Sequence, residues 1–122
     1  MRRLTMTLAA LAAALPNVSG AGEADVIDVK AVHSGEASFT FHVTVQHADS
    51  GWDHYADKWD VVGPDGTILE TRVLLHPHQD EQPFTRSLPD VKMPAGVDRV
   101  TVRAHDKLHG YGGKAFEVTL PR

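Results

Sequence analysis

The sequence predicts an all-β protein, an immunoglobulin-like or fibronectin-III-like β-sandwich of about seven antiparallel strands, preceded by a signal peptide. Three observations predict it. Past residue 21, seven short segments alternate apolar and polar residues with a period of two. Clusters of Gly, Pro, Asp and Asn-type turn formers separate them. No segment past residue 21 carries helical periodicity. The 122 residues make one domain, since about 100–200 residues per domain is usual.

Residues 1–21 read as the signal peptide. Arg2 and Arg3 supply the positive start, 4–15 is an apolar run, Pro16 breaks it, and Ser19, Gly20 and Ala21 offer small residues for cleavage after Ala21. The run is shorter than the ~20 residues a bilayer span needs, and no later stretch is longer, so no membrane span is expected after cleavage. The remaining domain, 22–122, is expected to be periplasmic or secreted. Losing Arg2 and Arg3 leaves ten basic residues against sixteen acidic ones.

Each strand rests on its own pattern. Residues 24–32 set Ile27, Val29 and Ala31 against Asp28 and Lys30. Residues 38–46 alternate most clearly, with Phe39, Phe41, Val43 and Val45 facing one way. Residues 55–62 carry Trp59 and Val61, and Trp59 is the expected core aromatic. Gly63-Pro64-Asp65-Gly66 is a strong turn sequence, so a hairpin leads into 67–75, where Leu69, Thr71, Val73 and Leu75 are in phase. Residues 84–88 form a shorter strand, ended by a loop from Pro89 to Gly96. Residues 97–105 align Val100, Val102 and Ala104, and 114–120 align Phe116, Val118 and Leu120.

Composition then excludes several functions. The chain is 42% hydrophobic, too much for a disordered segment, and its formal charge of −4 opposes nucleic-acid binding. With no cysteine, a disulfide scaffold, a thiolate metal site, a cysteine nucleophile and a lipoprotein anchor are not expected. Cupredoxins and superoxide reductases need a cysteine, and histidine–methionine copper chaperones need several methionines where 22–122 holds only Met93. No serine stands in a nucleophile motif, and Gly110–Gly113 does not open a helix as a phosphate loop would.

Histidine is the residue in excess, with eight. In a sandwich of consecutive antiparallel strands, alternate connections share an end. The second–third connection holds His47, Asp49, Asp53 and His54; the fourth–fifth holds His76, His78, Asp80 and Glu81; the sixth–seventh holds His105, Asp106 and His109. All three fall at one pole, while His33 lies at the other and His42 is mid-strand. His76-Pro77-His78 is an i, i+2 pair whose side chains leave an extended chain on one side, about 6–7 Å apart at the backbone. Pro77 keeps His76 out of the helical region. His105 and His109 flank a glycine-rich turn.

The expected function is therefore metal binding through His76, His78, His105 and His109, joined by His54 and His47, with Asp80, Glu81 and Asp106 as ligands or acceptors that fix imidazole tautomers. Imidazole with carboxylate and no thiol suits Zn(II), Cu(II), Ni(II) or Fe(II), and an extracytoplasmic setting ranks Cu(II) or Zn(II) first. The role would be capture, buffering or delivery to a protein partner, with affinity falling as pH drops through roughly 6.5. A non-metal interaction module using Trp52, Tyr111 and the acidic loop residues is the alternative. A small metal-dependent redox or hydrolytic enzyme is a further one, with Glu81 or Asp106 as its base.

Overall fold

The alternation of Phe39, Phe41, Val43 and Val45 puts all four side chains on one buried face and makes β2 the middle strand of a sheet. The computed structural model describes residues 22–122, and the expected leader, 1–21, lies outside the described residues. The strands are β1 (Asp25–His33), β2 (Ser38–Gln46), β3 (Ala56–Val62), β4 (Ile68–Val73), β5 (Phe84–Lys92), β6 (Arg99–Asp106) and β7 (Phe116–Thr119). One sheet has the order β1-β2-β5 and the other β4-β3-β6-β7. Every pairing is antiparallel, and there is no helix among the described residues.

The inner faces of the two sheets share one core. Phe41, Val43 and Val45 come from β2, Trp59 and Val61 from β3, and Val100, Val102 and Ala104 from β6. Trp59 is fully buried, as expected of it. Truncating so large a core side chain costs about 3–5 kcal/mol.

Three details depart from the sequence pattern. In β1 the register shifts between Val26 and Asp28, so Val26 is buried and Ile27 is turned outward. A bulge adds a residue and flips the face of the residues beyond it, which simple alternation cannot register. In β4 the expected stripe ends early. Val73 and Leu75 are exposed and Leu74 is buried, because the chain leaves β4 at Val73 and the Leu74 N–H bonds to the Asp57 carbonyl at 2.9 Å. In β5 the strand does not stop at Pro89 but runs to Lys92. It lies at the edge of its sheet, where a proline without an N–H is tolerated. Phe39 pairs with Val91 and Phe41 with Leu88, so Pro89 and Asp90 form a bulge, with Asp90 at φ 55°.

The β2–β3, β4–β5 and β6–β7 connections meet at one end. The His78 N–H donates to Asp49 Oδ2 at 2.7 Å, the His47 N–H donates to Gln82 Oε1 at 3.0 Å, and His54 Nε2 lies 3.4 Å from Asp106 Oδ1. His33 is exposed elsewhere, its Nε2 3.0 Å from the Pro121 carbonyl, and His42 contacts Ser87 Oγ at 2.7 Å.

Candidate metal centre

The inward phase of two central strands runs past the core into this end of the molecule. In β2 the buried series Phe39, Phe41, Val43, Val45 continues two residues on at His47. In β6 the series Val100, Val102, Ala104 continues at Asp106. Both residues are buried, His47 at 2% exposure and Asp106 at 0%. The sandwich core thus grades into a polar site, and the β2–β3 connection brings His54 over it.

His47, His54 and Asp106 each offer an atom within 4.8 Å of the others. The two Nε2 atoms are 3.2 Å apart. His54 Nε2 is 3.4 Å from Asp106 Oδ1, and His47 Nε2 is 3.9 Å from Asp106 Oδ2. Two ligands about 2.0–2.1 Å from one zinc ion at tetrahedral angles stand about 3.3 Å apart, so the 3.2 and 3.4 Å spacings match neighbouring ligands of one ion, and the 3.9 Å spacing is wider. The Gly22 carbonyl oxygen also lies 3.0 Å from each Nε2. His109 borders the group, its ring centroid 4.9 Å from that of His54 and its Nδ1 3.4 Å from Asp106 Oδ1.

Hydrogen bonding fixes which atoms have lone pairs to give. Asp49 is an acceptor, so His47 Nδ1, 2.5 Å from Asp49 Oδ1, is the protonated nitrogen. A neutral His47 then presents an unprotonated Nε2 to the site. Asp49 also accepts the Ala56 N–H at 3.0 Å and the His78 N–H at 2.7 Å, so it anchors three stretches of chain around His47. Asp106 Oδ1 accepts the N–H groups of Leu108 and His109 at 2.9 and 2.6 Å. Its other oxygen, Oδ2, is buried and has no hydrogen-bond partner among the described residues.

Among the described residues, no Lys or Arg is paired with this group. With His47 neutral, its Nε2, the Gly22 oxygen and Asp106 Oδ2 are all acceptors, and among the described residues His54 Nε2 and the bordering His109 Nδ1 are the ring nitrogens near them that could donate. Two carboxylates, Asp49 and Asp106, have side chains with no exposure at all. Buried charge of one sign is costly unless paired. A divalent cation between the two Nε2 atoms and Asp106 would satisfy the orphaned oxygen and offset the carboxylate charge.

The six histidines named from sequence fall into three places. His47 and His54 face each other across the site, with His109 at its border. His76 and His78 form a separate pair with ring centroids 4.7 Å apart. His78 stacks on Phe84 at 4.0 Å and 9°, and neither of its ring nitrogens has a hydrogen-bond partner among the described residues. With Arg72 and Arg86 the pair lines a pocket of about 70 Å³. Burial first, then the Arg86 and His76 charges, push the His78 pKa below its ordinary value. His105 is on the outer face of β6, its Nδ1 2.6 Å from Asp57 Oδ1 and its ring packed edge-on to Tyr111. Tyr111 in turn donates to the buried Asp60 at 2.6 Å, and desolvation together with that bond raises its pKa.

Alternation alone separates His105 from Asp106. Val100, Val102 and Ala104 fix the inward phase of β6, so Asp106 is next on the inside and His105 is out of phase. Asp49, placed by the sequence at this pole but given no role there, and Gly22 are the further participants. Asp49 is legible only as a carboxylate two residues from a histidine, and Gly22 carries no local signal.

Comparison with known proteins gives one relationship. The chain is 46% identical over 96 residues to a "Putative lipoprotein" of Halomicrobium mukohataei, a match that spans 79% of this chain and 47% of the relative. The chain thus spans about half the length of the curated relative it matches. No family model matches the chain, and no solved structure matches it. No helix among the described residues is long and apolar enough to cross a membrane.

Proposed function

We propose that this chain is an extracytoplasmic protein that binds one divalent transition metal, Zn(II) or Cu(II), through His47 Nε2, His54 Nε2 and Asp106, with His109 at the border of the site. The observation that carries the reading is the Asp106 carboxylate, whose Oδ2 is buried without a hydrogen-bond partner among the described residues and lies 3.9 Å from His47 Nε2, while its Oδ1 lies 3.4 Å from His54 Nε2. Two imidazoles and a carboxylate, with no thiol, form a donor set suited to these ions. Asp49 supports the site by holding the His47 ring in one tautomer.

The leader-like start of the sequence and the name of the relative support the extracytoplasmic location. The fold is read as fibronectin-III-like, since β4 pairs with β3, whereas the constant-type immunoglobulin arrangement sets its fourth strand in the other sheet. Capture and transfer of the ion is the role we assign. Trp52 and Leu108, 64% and 65% exposed on the two connections that carry the histidines, offer an apolar contact for a protein that takes the ion.

Calorimetric titration of residues 22–122 with Zn(II) and with Cu(II) tests this. One equivalent is expected for the native chain and none for His47→Ala combined with His54→Ala, judged beside a circular-dichroism spectrum showing that the double variant is folded. Stoichiometric binding that survives in the folded double variant contradicts the ligand assignment.

A further inference from the structure

Gly22 sits against three imidazole rings before the first strand begins. Its carbonyl oxygen is 3.0 Å from Nε2 of both His47 and His54. A Cβ on this residue would lie 2.9 Å from His109 Cε1, and its φ is +84°. Nothing larger than glycine fits there without displacing the His109 ring.

The segment that carries Gly22 is clasped by the β6–β7 connection. A Cβ on Gly112 would collide with Glu23 Oε2, and one on Gly113 with the Ala24 carbonyl oxygen. The chain crossing at Gly112 and Gly113 is closed by the Val26 N–H to the Lys114 carbonyl at 2.8 Å and the Lys114 N–H to Asp25 Oδ1 at 2.7 Å. Both loops that carry the metal residues therefore hold residue 22 in place.

The small residues Ser19, Gly20 and Ala21 precede it, and cleavage after Ala21 makes Gly22 the first residue of the chain. Within a longer chain the Gly22 nitrogen is an amide whose lone pair is delocalised. At a free terminus it is an amine with a lone pair to donate. Together with its own carbonyl oxygen, the amine closes a five-membered ring on a metal ion.

We propose that Gly22, as the terminal residue left by leader removal, is itself a chelating ligand of the His47–His54–Asp106 metal site, so that processing arms the site. The inference rests on the metal-binding reading above and adds two donors, the α-amine and the carbonyl oxygen. It also supplies a reason for the glycine-lined seat, because an N-terminal residue held over three imidazoles can approach the ion only if it has no side chain. A precursor that still carries its leader presents an amide at this point and binds the ion weakly, which confines loading to the exported protein.

The test compares three forms of the chain, which all contain the seven strands and the core of 22–122. The first begins at Gly22 with a free amine. The second is the same protein acetylated at Gly22. The third retains Ser19, Gly20 and Ala21. Cu(II) is the probe, followed by calorimetry and by electron paramagnetic resonance on protein with isotope-labelled glycine nitrogen. The free-amine form is expected to bind more tightly than both blocked forms by about tenfold or more, at least the size that losing a supporting group at a metal site carries. It alone should show a hyperfine change from labelled glycine. Equal affinity in all three forms, or no glycine coupling in the free-amine form, overturns the inference and leaves the histidine site standing. Absence of binding in every form overturns both readings.

Discussion

Two histidine pairs lie at the same end of this sandwich, and their surroundings are opposite in charge. His47 and His54 face a buried carboxylate, a second carboxylate behind the His47 ring and a backbone carbonyl. His76 and His78 face Arg72 and Arg86 across a small pocket, and the His78 ring stacks on Phe84. The first pair is rich in acceptors and has no Lys or Arg paired with it among the described residues. The second already has guanidinium charges beside it, which oppose a further cation even where Arg86 is paired with Glu81 at 3.1 Å. On the proposed reading, the sign of the charge around the rings, rather than histidine content, distinguishes the two pairs.

The sharpest way to break the comparison is to remove charge from the first group. Asp106→Asn keeps an acceptor for the Leu108 and His109 N–H groups and removes the anion. Metal affinity is expected to fall by at least the ~100-fold that loss of a supporting partner alone reaches, read by competition against a chromophoric chelator. Unchanged affinity would place the ion elsewhere.

Asp49→Ala is next in size and acts on the fold as well as on the site. It leaves the His47 ring, the Ala56 N–H and the His78 N–H without their buried acceptor. Breaking such a buried arrangement costs about 3–5 kcal/mol, to be measured by urea unfolding of the metal-free protein. A loss below about 1 kcal/mol would mean that water replaces the carboxylate.

The second pair gives a smaller and different signal. His76→Ala with His78→Phe is expected to leave affinity at the first site within about twofold, as for independent groups. It should instead change the acid response. His78 is held neutral by burial and by the Arg86 and His76 charges, against the opposing pull of Asp49 and Glu81. A histidine with a folded pKa below the unfolded value of about 6.5 takes up its proton more readily when unfolded, so its contribution to stability is present above that value and is lost as pH falls below it. Phenylalanine preserves the stack on Phe84 and removes the proton site. The loss of thermal stability between pH 6.5 and pH 5 should therefore be shallower in the variant; an equal slope would assign it to other groups.

His105→Ala should do least. Its partner Asp57 is about as exposed as it is, and the pair is on the outer face of the sheet. A stability change below about 1 kcal/mol and an unaltered metal affinity are expected. A large affinity loss would mean that the outer face of β6 communicates with the site.

Most of the fold is legible in the sequence because sheets with one buried face record burial as alternation. Phe39 to Val45 and Val100 to Ala104 could be read directly, and the meeting of three histidine-bearing connections follows from strand count. What alternation misses is where the ladder slips. Ile27, Leu74 and Pro89 all sit at bulges or strand ends, where one extra residue or one lost pairing changes the face. The site is half legible for the same reason. His47 and Asp106 are the next inward residues of β2 and β6. His76-Pro77-His78 has the more metal-like local spacing, but spacing says nothing of the arginines that the fold brings beside it. Gly22 is invisible locally, since its place depends on a chain crossing at Gly112 and Gly113, about ninety residues away.

The position of the ion separates the two pairs most directly. Crystals of residues 22–122 grown with Zn(II) and measured on both sides of the zinc absorption edge locate it. One strong anomalous peak is expected at bonding distance, about 2.0–2.2 Å, from His47 Nε2, His54 Nε2 and Asp106 Oδ2. A peak between His76 and His78, with none at Asp106, would contradict the assignment.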